Sequence, residues 1–310
     1  MKAKKVLLII VASVAAAAIL FTAVIHPIIS NVVHKKTSEE NPPAIVADFD
    51  KKPENAIRVM SFNIRCIGLG VIKRSTRNDE VVKTIEKGMP DSFGVQEATP
   101  TWMRYLSRKL DDYDYVGVGR SNGKNSGEFS AIFYLKDKYN VYDSGTFWLS
   151  ETPDEPSTGW DASMNRICTW AVLENKETGE TYIHLNAHFD HKGVEARSNS
   201  VDMILEKVRM YDSFPVVFTA DMNIVEGDEA YVKMATSEKL WDTKYVAPET
   251  MNYLTFHDTK PSENEGRILD YIMINSNFGA VTYRVVTAGI DGKFVSDHYP
   301  VYADLVIRED

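Results

Sequence analysis

The chain has 310 residues, 44% hydrophobic and 11% aromatic, enough to bury a large α/β core. Its formal charge is −9, and because residues 1–55 carry seven Lys/Arg against five Asp/Glu, the remainder stands at −11. Such an acidic body disfavours a sequence-independent nucleic-acid clamp, which needs gathered cations, and Cys66 and Cys168 form neither a CxxC metal spacing nor a disulfide framework.

Met1-Lys-Ala-Lys-Lys5 precedes Val6 to Ile25, 20 uncharged residues that match a hydrocarbon core of roughly 30 Å. The lysines in front favour a cytoplasmic N-terminus. The expectation is a cytoplasmic end at 1–5, a transmembrane anchor over 6–29 and a polar, Pro-containing linker over 30–55. The body, 56–310, then lies outside the cytoplasm, secreted if the N-terminal segment is cleaved.

Within the body, strand-like and helix-like runs alternate. Ile57 to Ile64 is an apolar strand presenting Asn63 near its end. Asn78-Asp-Glu opens a short helix that Lys87-Gly88 closes. Ser92 to Glu97 is a strand ending in a carboxylate, and Thr99-Pro100 starts a helix with Trp102, Leu106 and Leu110 on one side. From Tyr113 to Asn186 the pattern is antiparallel strands, with Ala131 to Leu135 and Tyr139 to Leu149 flanking a turn at Lys136-Asp-Lys138, and Arg166 to Leu173 and Thr181 to Asn186 flanking another at Asn175 to Gly179. Between these pairs runs a Pro- and Gly-rich loop, Ser150 to Asp161, where Trp160, with Trp148 beside it, is a weak candidate for a substrate platform; plugging the side of the sheet is the plainer role.

Glu195 to Tyr211 carries Val201, Ile204, Leu205 and Val208 at helical spacing. Phe214 to Asn223 is an almost continuously apolar run that delivers Asp221 and Asn223, spaced i, i+2 and therefore on one face of a strand tip. A helix follows over about Asp228 to Thr236, then an irregular stretch to Gly266, a strand at Arg267 to Ile274 holding Asp270, and a last strand at Val301 to Ile307 behind Ser296-Asp-His-Tyr-Pro300.

Polar residues thus recur at strand ends: Asn63, Glu97, His188, Asp221, Asn223, Asp270, Asp297 and His298. Singly, each reads as a turn former or a structural histidine. Together, Ser61-Phe-Asn-Ile-Arg65, Val95-Gln-Glu97, Asn186-Ala-His188, Ala220-Asp-Met-Asn223, Leu269-Asp-Tyr271 and Ser296-Asp-His298 resemble, in order, the endonuclease/exonuclease/phosphatase superfamily, and bacterial membrane-attached or secreted members in particular, with the deadenylase-like branch nearest. The resemblance implies a four-layer α/β sandwich of two face-to-face mixed sheets flanked by helices, and a divalent metal, Mg²⁺ with Mn²⁺ as a substitute. It implies Glu97 as the main metal ligand, helped by Asn63 and Asp297; Asp221 as the group that deprotonates water; and Asn223 on that water or a phosphate oxygen. His298, its tautomer fixed by Asp270, and His188 would contact the phosphoryl group.

The chemistry asks for the same residue types. A phosphoester repels a nucleophile, so a hard cation on oxygen ligands, a base for water and protonated imidazoles all suit it. His298 and His188 in protonated form would supply positive charge that the acidic body lacks. The expectation is a Mg²⁺-dependent phosphoesterase, with a diester favoured over a monoester. Nucleic acid, lipid headgroup and small molecule stay open as substrates, no protein partner is implied, and the membrane is met through the N-terminal helix. A catalytically inactive binding module on the same scaffold, or a phosphomonoesterase or lipid-headgroup hydrolase, are the alternatives.

Overall fold

A computed structural model describes residues 48–66, 74–258, 266–288 and 295–308, with 74–76 as backbone alone. The anchor expected over 6–29 lies outside these residues. Among the described residues no helix is long and apolar enough to cross a membrane.

The strands are β1 (Ile57–Asn63), β2 (Ser92–Gln96), β3 (Tyr113–Val116), β4 (Ile132–Leu135), β5 (Tyr139–Trp148), β6 (Ile167–Asn175), β7 (Thr181–His188), β8 (Val216–Asp221), β9 (Trp241–Asp242), β10 (Glu249–Thr250), β11 (Asp270–Ile274), β12 (Phe278–Val285) and β13 (Val301–Ile307). The helices, α1 to α5, are Arg74–Gly88, Pro100–Lys109, Val194–Arg209, Glu229–Ala235 and Thr243–Val246. One sheet has the order β10-β12-β13-β1-β2-β4-β3 and the other β5-β6-β7-β8-β11-β9. Both are mixed: β1 runs parallel to β2 and β7 to β8, while β13 and β11 enter antiparallel to them.

The packing makes the expected layers. Val59, Ile132, Leu173, Val217, Ile272 and Leu305 form an apolar core shared by the two sheets. On one outer face, Val81, Ile85, Trp102 and Leu106 bring α1 and α2 onto β1 and β2. On the other, Val201, Ile204, Val208 and Met234 bring α3 and α4 onto β7 and β8. Thr99 caps α2 as its sequence indicates, accepting from the Trp102 N–H at 3.3 Å, with Pro100 in the first turn.

A polar seam also crosses the sheet interface. Tyr182 Oη donates to Ser92 Oγ at 2.9 Å, and His184 bridges Ser92 Oγ and Thr219 Oγ1, each at 2.9 Å. Thr219 Oγ1 donates to Asn186 Oδ1 at 3.0 Å, and Gln96 Nε2 donates to the same oxygen at 2.7 Å. Asn186 Nδ2 reaches the carbonyls of Val95 and Ala131, both at 3.0 Å. Gly94 makes room for the seam, since a Cβ there would sit 2.2 Å from Asn186 Oδ1. These buried groups tie β2, β7 and β8 together along their length, from Ser92 and Tyr182 near the amino ends to Gln96 and Asn186 near the carboxyl ends.

Four points differ from these expectations. The turn at 136–138 is no hairpin: β4 pairs with β2 and β3, β5 with β6, so the chain crosses there from one sheet to the other. Helix α1 begins at Arg74 rather than Asn78, in a segment with no apolar periodicity; Arg77 is held inward by the carbonyls of Ile64 (2.7 Å) and Val295 (3.0 Å). Strand β12 went unread because a register shift between Ala280 and Thr282 breaks its alternation. Residues 48–55, read above as the end of the linker, lie against the body: Phe49 stacks on Tyr302 at 5.3 Å and Lys52 pairs with Asp91 at 2.8 Å.

Candidate active site

The parallel strands β1, β2, β7 and β8 all end on one side, and the antiparallel strands β11 and β13 begin there. In the register of the second sheet, Asp221 lies opposite Asp270 on one side and His188 on the other. Asn63 closes β1 and Glu97 follows β2 in the left-handed region, at φ 59°; Asn223 follows β8 at φ 49°. That region is uncommon for a residue other than glycine, less so for Asn than for Glu.

Asp221 is the hub. Its Oδ2 accepts from Asn63 Nδ2 at 2.9 Å and lies 3.5 Å from His188 Nε2 and 3.7 Å from His298 Nε2; its Oδ1 accepts from the Asn223 N–H at 3.0 Å. Asn63 Nδ2 also donates to Glu97 Oε1 at 3.1 Å, and the Cys66 N–H donates to Glu97 Oε2 at 2.8 Å. The sequence therefore brought Asn63, Glu97, His188, Asp221, Asn223, Asp270 and His298 into one cluster, while Asp297 is engaged by Arg65.

Charge is set by surroundings. Burial, reinforced by Asp270 and offset in part by His298, pushes Asp221 up to about 6. Burial opposes charge on His298, but the carboxylates of Asp270 and Asp221 and the 2.8 Å hydrogen bond from Nδ1 to Asp270 outweigh it and raise it to about 10. Burial also opposes charge on Glu97, yet the hydrogen bonds of Cys66 and Asn63 hold its carboxyl below the usual range. A carboxylate that titrates near 6 beside a cationic imidazole is suited to take a proton from water at neutral pH.

His188 departs from expectation. Burial first, then the charges of Arg166 and Arg120, press it well below its ordinary value, so it is neutral. Asn223 Nδ2 donates to His188 Nε2 and to the Phe189 carbonyl, each at 3.1 Å, which makes Nε2 the acceptor and leaves Asn223 Oδ1 outside both bonds. The positive charge assigned to His188 resides instead on Arg166 and Arg120.

Those two arginines, with Glu128, Cys66 and Arg65, are what sequence reading left without a role. Arg120 pairs with Glu128 at 3.0 Å, and Arg166 lies 3.4 Å from Asp190 and 3.2 Å from His191 Nδ1. Arg166 precedes β6, which is antiparallel to β7, so the amino end of β6 lies at the site beside the carboxyl end of β7. Cys66 is half-buried beside Glu97, with its thiol pushed up to about 12 by burial and by that charge. Trp148 is buried and donates Nε1 to the Arg120 carbonyl at 2.8 Å, so it buttresses the arginine loop and offers no platform. Trp160 is half-buried at φ 47°, its N–H on Glu151.

The donor set suits a hard cation, since Glu97, Asp221 and Asp297 offer carboxylate oxygens with unused lone pairs. In this arrangement Asn63 turns its amide nitrogen to both carboxylates while its Oδ1 accepts from the Arg65 N–H at 3.0 Å, so it orients them and would ligate only with the amide turned over. Asp221, Asp270 and His298 also lie close enough to share an ion. The 2.8 Å bond between His298 and Asp270 already occupies that space with a proton, and the pair is better understood as an imidazolium held by its carboxylate.

Comparison with known proteins agrees with this geometry. Residues 60–298 match the model of the Endonuclease/Exonuclease/phosphatase family. An endonuclease/exonuclease/phosphatase from Bacteroides vulgatus is 35% identical, with a TM-score of 0.75 over 82% of this chain and 99% of that one. A mannosyl-6-phosphatase from Bacteroides thetaiotaomicron is 33% identical, with a TM-score of 0.75 over 81% and 100%. The catalytic domain of human nocturnin, 20% identical with a TM-score of 0.68 over 86% and 100%, shares the fold.

Proposed function

This chain belongs to the endonuclease/exonuclease/phosphatase family, and on that premise we propose that it is a divalent-metal-dependent phosphoester hydrolase that breaks a P–O bond by direct attack of water. The observation that carries the reading is the ring around Asp221: one buried carboxylate with Asn63, His188, Asn223 and His298 about it.

Each side chain has a part. Asp221 takes the proton of the attacking water, and Asn223 Oδ1 accepts that water's second hydrogen. Neutral His188 fixes the Asn223 amide through its 3.1 Å bond. His298, held cationic by Asp270, presents Nε2 where negative charge grows on the phosphoryl oxygens. Mg²⁺ or Mn²⁺, held by Glu97 and Asp297 with Asn63 orienting the Glu97 carboxylate, would offset charge on the non-bridging oxygens.

The sequence favours a diester. The likeness to a mannosyl-6-phosphatase supports a second reading, a phosphomonoesterase acting on a sugar phosphate. Purified full-length chain should hydrolyse bis(4-nitrophenyl) phosphate or 4-nitrophenyl phosphate with Mg²⁺ or Mn²⁺, stop with EDTA, and lose about 10²- to 10⁴-fold in kcat as Asp221→Asn. Turnover that ignores both the chelator and the substitution would remove the proposal.

Anchoring by residues 6–29 with the body outside the cytoplasm belongs to the same proposal, motivated by the uncharged run Val6 to Ile25. Protease added to intact cells should digest the body. Protection until lysis would overturn that placement.

A further inference from the structure

Beside His188 the site continues into a group that the hydrolase reading leaves idle. Arg166 is 4% exposed. Its Nε lies 3.4 Å from Asp190 Oδ2 and its Nη2 3.2 Å from His191 Nδ1, while Nη1 is buried with no hydrogen-bond partner. Asp190 can offer it little more. Its Oδ1 already accepts from the Lys192 and Gly193 N–H groups, each at 2.9 Å, and its Oδ2 from Ser163 Oγ at 2.9 Å.

A second guanidinium stands close by. Arg120 is tied to Glu128 through both terminal nitrogens, at 3.0 and 3.1 Å. Burial, and then the charge of Arg120, both disfavour the charged form of Arg166, while Asp190, Asp221 and Glu128 favour it. Arg166 immediately precedes β6, whose amino end pairs antiparallel with the carboxyl end of β7, Cys168 opposite Ala187, so it stands beside His188 at the reacting end of the sheet and not behind it. A buried guanidinium with unpaired N–H groups next to a like charge is completed by an oxyanion, whose planar pair of acceptors fits the fork.

The charge and shape of that oxyanion narrow the substrate. A terminal phosphate monoester carries about −1.5 to −2 charge at pH 7 and presents three oxygens apart from the ester link. A diester carries one negative charge and turns the third oxygen into an uncharged ester oxygen whose carbon substituent points where the guanidinium would bind. Carbon there would leave the Arg166 fork buried and unpaired. We infer that Arg166, backed by Arg120, binds the third terminal oxygen of a phosphomonoester and makes the phosphomonoester dianion the substrate class of this site. The inference rests on the hydrolase reading above and reverses the diester preference drawn from sequence.

The test is the selectivity ratio. With full-length chain and Mg²⁺, kcat/KM is measured for 4-nitrophenyl phosphate and for methyl 4-nitrophenyl phosphate in wild type, Arg166→Met and Arg120→Gln. The wild type should prefer the monoester, Arg166→Met should lower the monoester-to-diester ratio by about 10- to 100-fold, and Arg120→Gln should lower it less. A wild type that prefers the diester, or a ratio unmoved in the variants while both rates fall, overturns the inference and leaves the hydrolase reading standing.

A binding arm is independent of turnover. Orthophosphate should raise the melting temperature of the wild type more than dimethyl phosphate does, and this difference should vanish in Arg166→Met. If that variant does not fold, Arg120→Gln carries both readouts. If neither ester is cleaved, the hydrolase reading fails, and the melting difference alone decides whether Arg166 recognises a terminal phosphate.

Discussion

At the start of β1, Arg58 donates to Asp304 at 2.7 and 2.9 Å, to the Asp50 carbonyl at 2.9 Å and to the Gly88 carbonyl at 3.2 Å, and lies over the Tyr302 ring. Next to it Asp91 accepts from Lys52, Lys138, Tyr139 and the Arg58 N–H. At the site end, His188 Nδ1, Arg166 Nη1 and Asp270 Oδ1 at the second sheet and Gln96 Oε1 in the first are buried without hydrogen-bond partners. Among the described residues, no side-chain atom of Arg58, Asp91 or Asp304 is in that state. The difference separates two uses of buried charge in one sandwich. Saturated groups hold the layers and the entering chain together, and unsaturated groups keep bonds in reserve for something absent from the chain itself.

The largest effect expected from this contrast lies at the saturated end. Asp304→Ala leaves Arg58 buried without its carboxylate and should cost about 3–5 kcal/mol in urea unfolding, because an uncompensated buried charge is what remains. The kcat and KM of the molecules that stay folded should not move, since Arg58 and Asp304 lie at the far end of β1 from Asn63. A loss below about 1 kcal/mol would put the pair in the class of exposed ion pairs and end the contrast.

Much of this plan was legible in the sequence, for physical reasons that particular residues make plain. Asn63, Glu97, His188, Asp221 and Asn223 could be read because each follows an apolar run, and a polar side chain at the tip of a buried strand stands out. Thr99-Pro100 announced α2 because a cap and an N-terminal proline are local signals. What escaped depended on distant partners. The charge state of His188 is decided by its burial between the sheets' strand ends and then by Arg166 and Arg120, 22 and 68 positions earlier in the chain. The assignment of β4 and β5 to different sheets is decided by pairing with β2 and β6, which the turn between them does not encode. Arg166 was passed over because antiparallel pairing carries the amino end of β6 to the site, and direction is not written in an apolar run.

A smaller effect tests the seam that joins the two ends. His184 is fully buried between Ser92 and Thr219, and burial lowers it to about 3. Between that value and an unfolded value of about 6.5, the unfolded chain takes up a proton that the folded one refuses. The stability this group contributes is therefore complete above pH 6.5 and is lost as pH falls toward 3. At pH 5 the loss is about 2 kcal/mol, at 1.36 kcal/mol per pH unit. His184→Gln should flatten the fall in unfolding free energy between pH 7 and pH 5 by that amount, whatever it does to stability at pH 7. An unchanged slope would mean that His184 charges within the folded seam, which would place it with the unsaturated end.

The smallest effect asks whether scaffold and chemistry separate within the site end itself. Thr99 stands two residues beyond Glu97 and caps α2 through the Trp102 N–H, yet touches none of the unpartnered groups. Thr99→Ala should cost about 1 kcal/mol of stability by loss of the cap. Because the carboxylate of Glu97 is fixed by Asn63 and the Cys66 N–H and not by the helix start, kcat/KM should stay as it was. A fall in kcat/KM out of proportion to the fall in stability would show that the left-handed turn at Glu97 leans on the cap. Bonding at the site end would then be organised by the backbone of α2 as well as by the side chains gathered around Asp221.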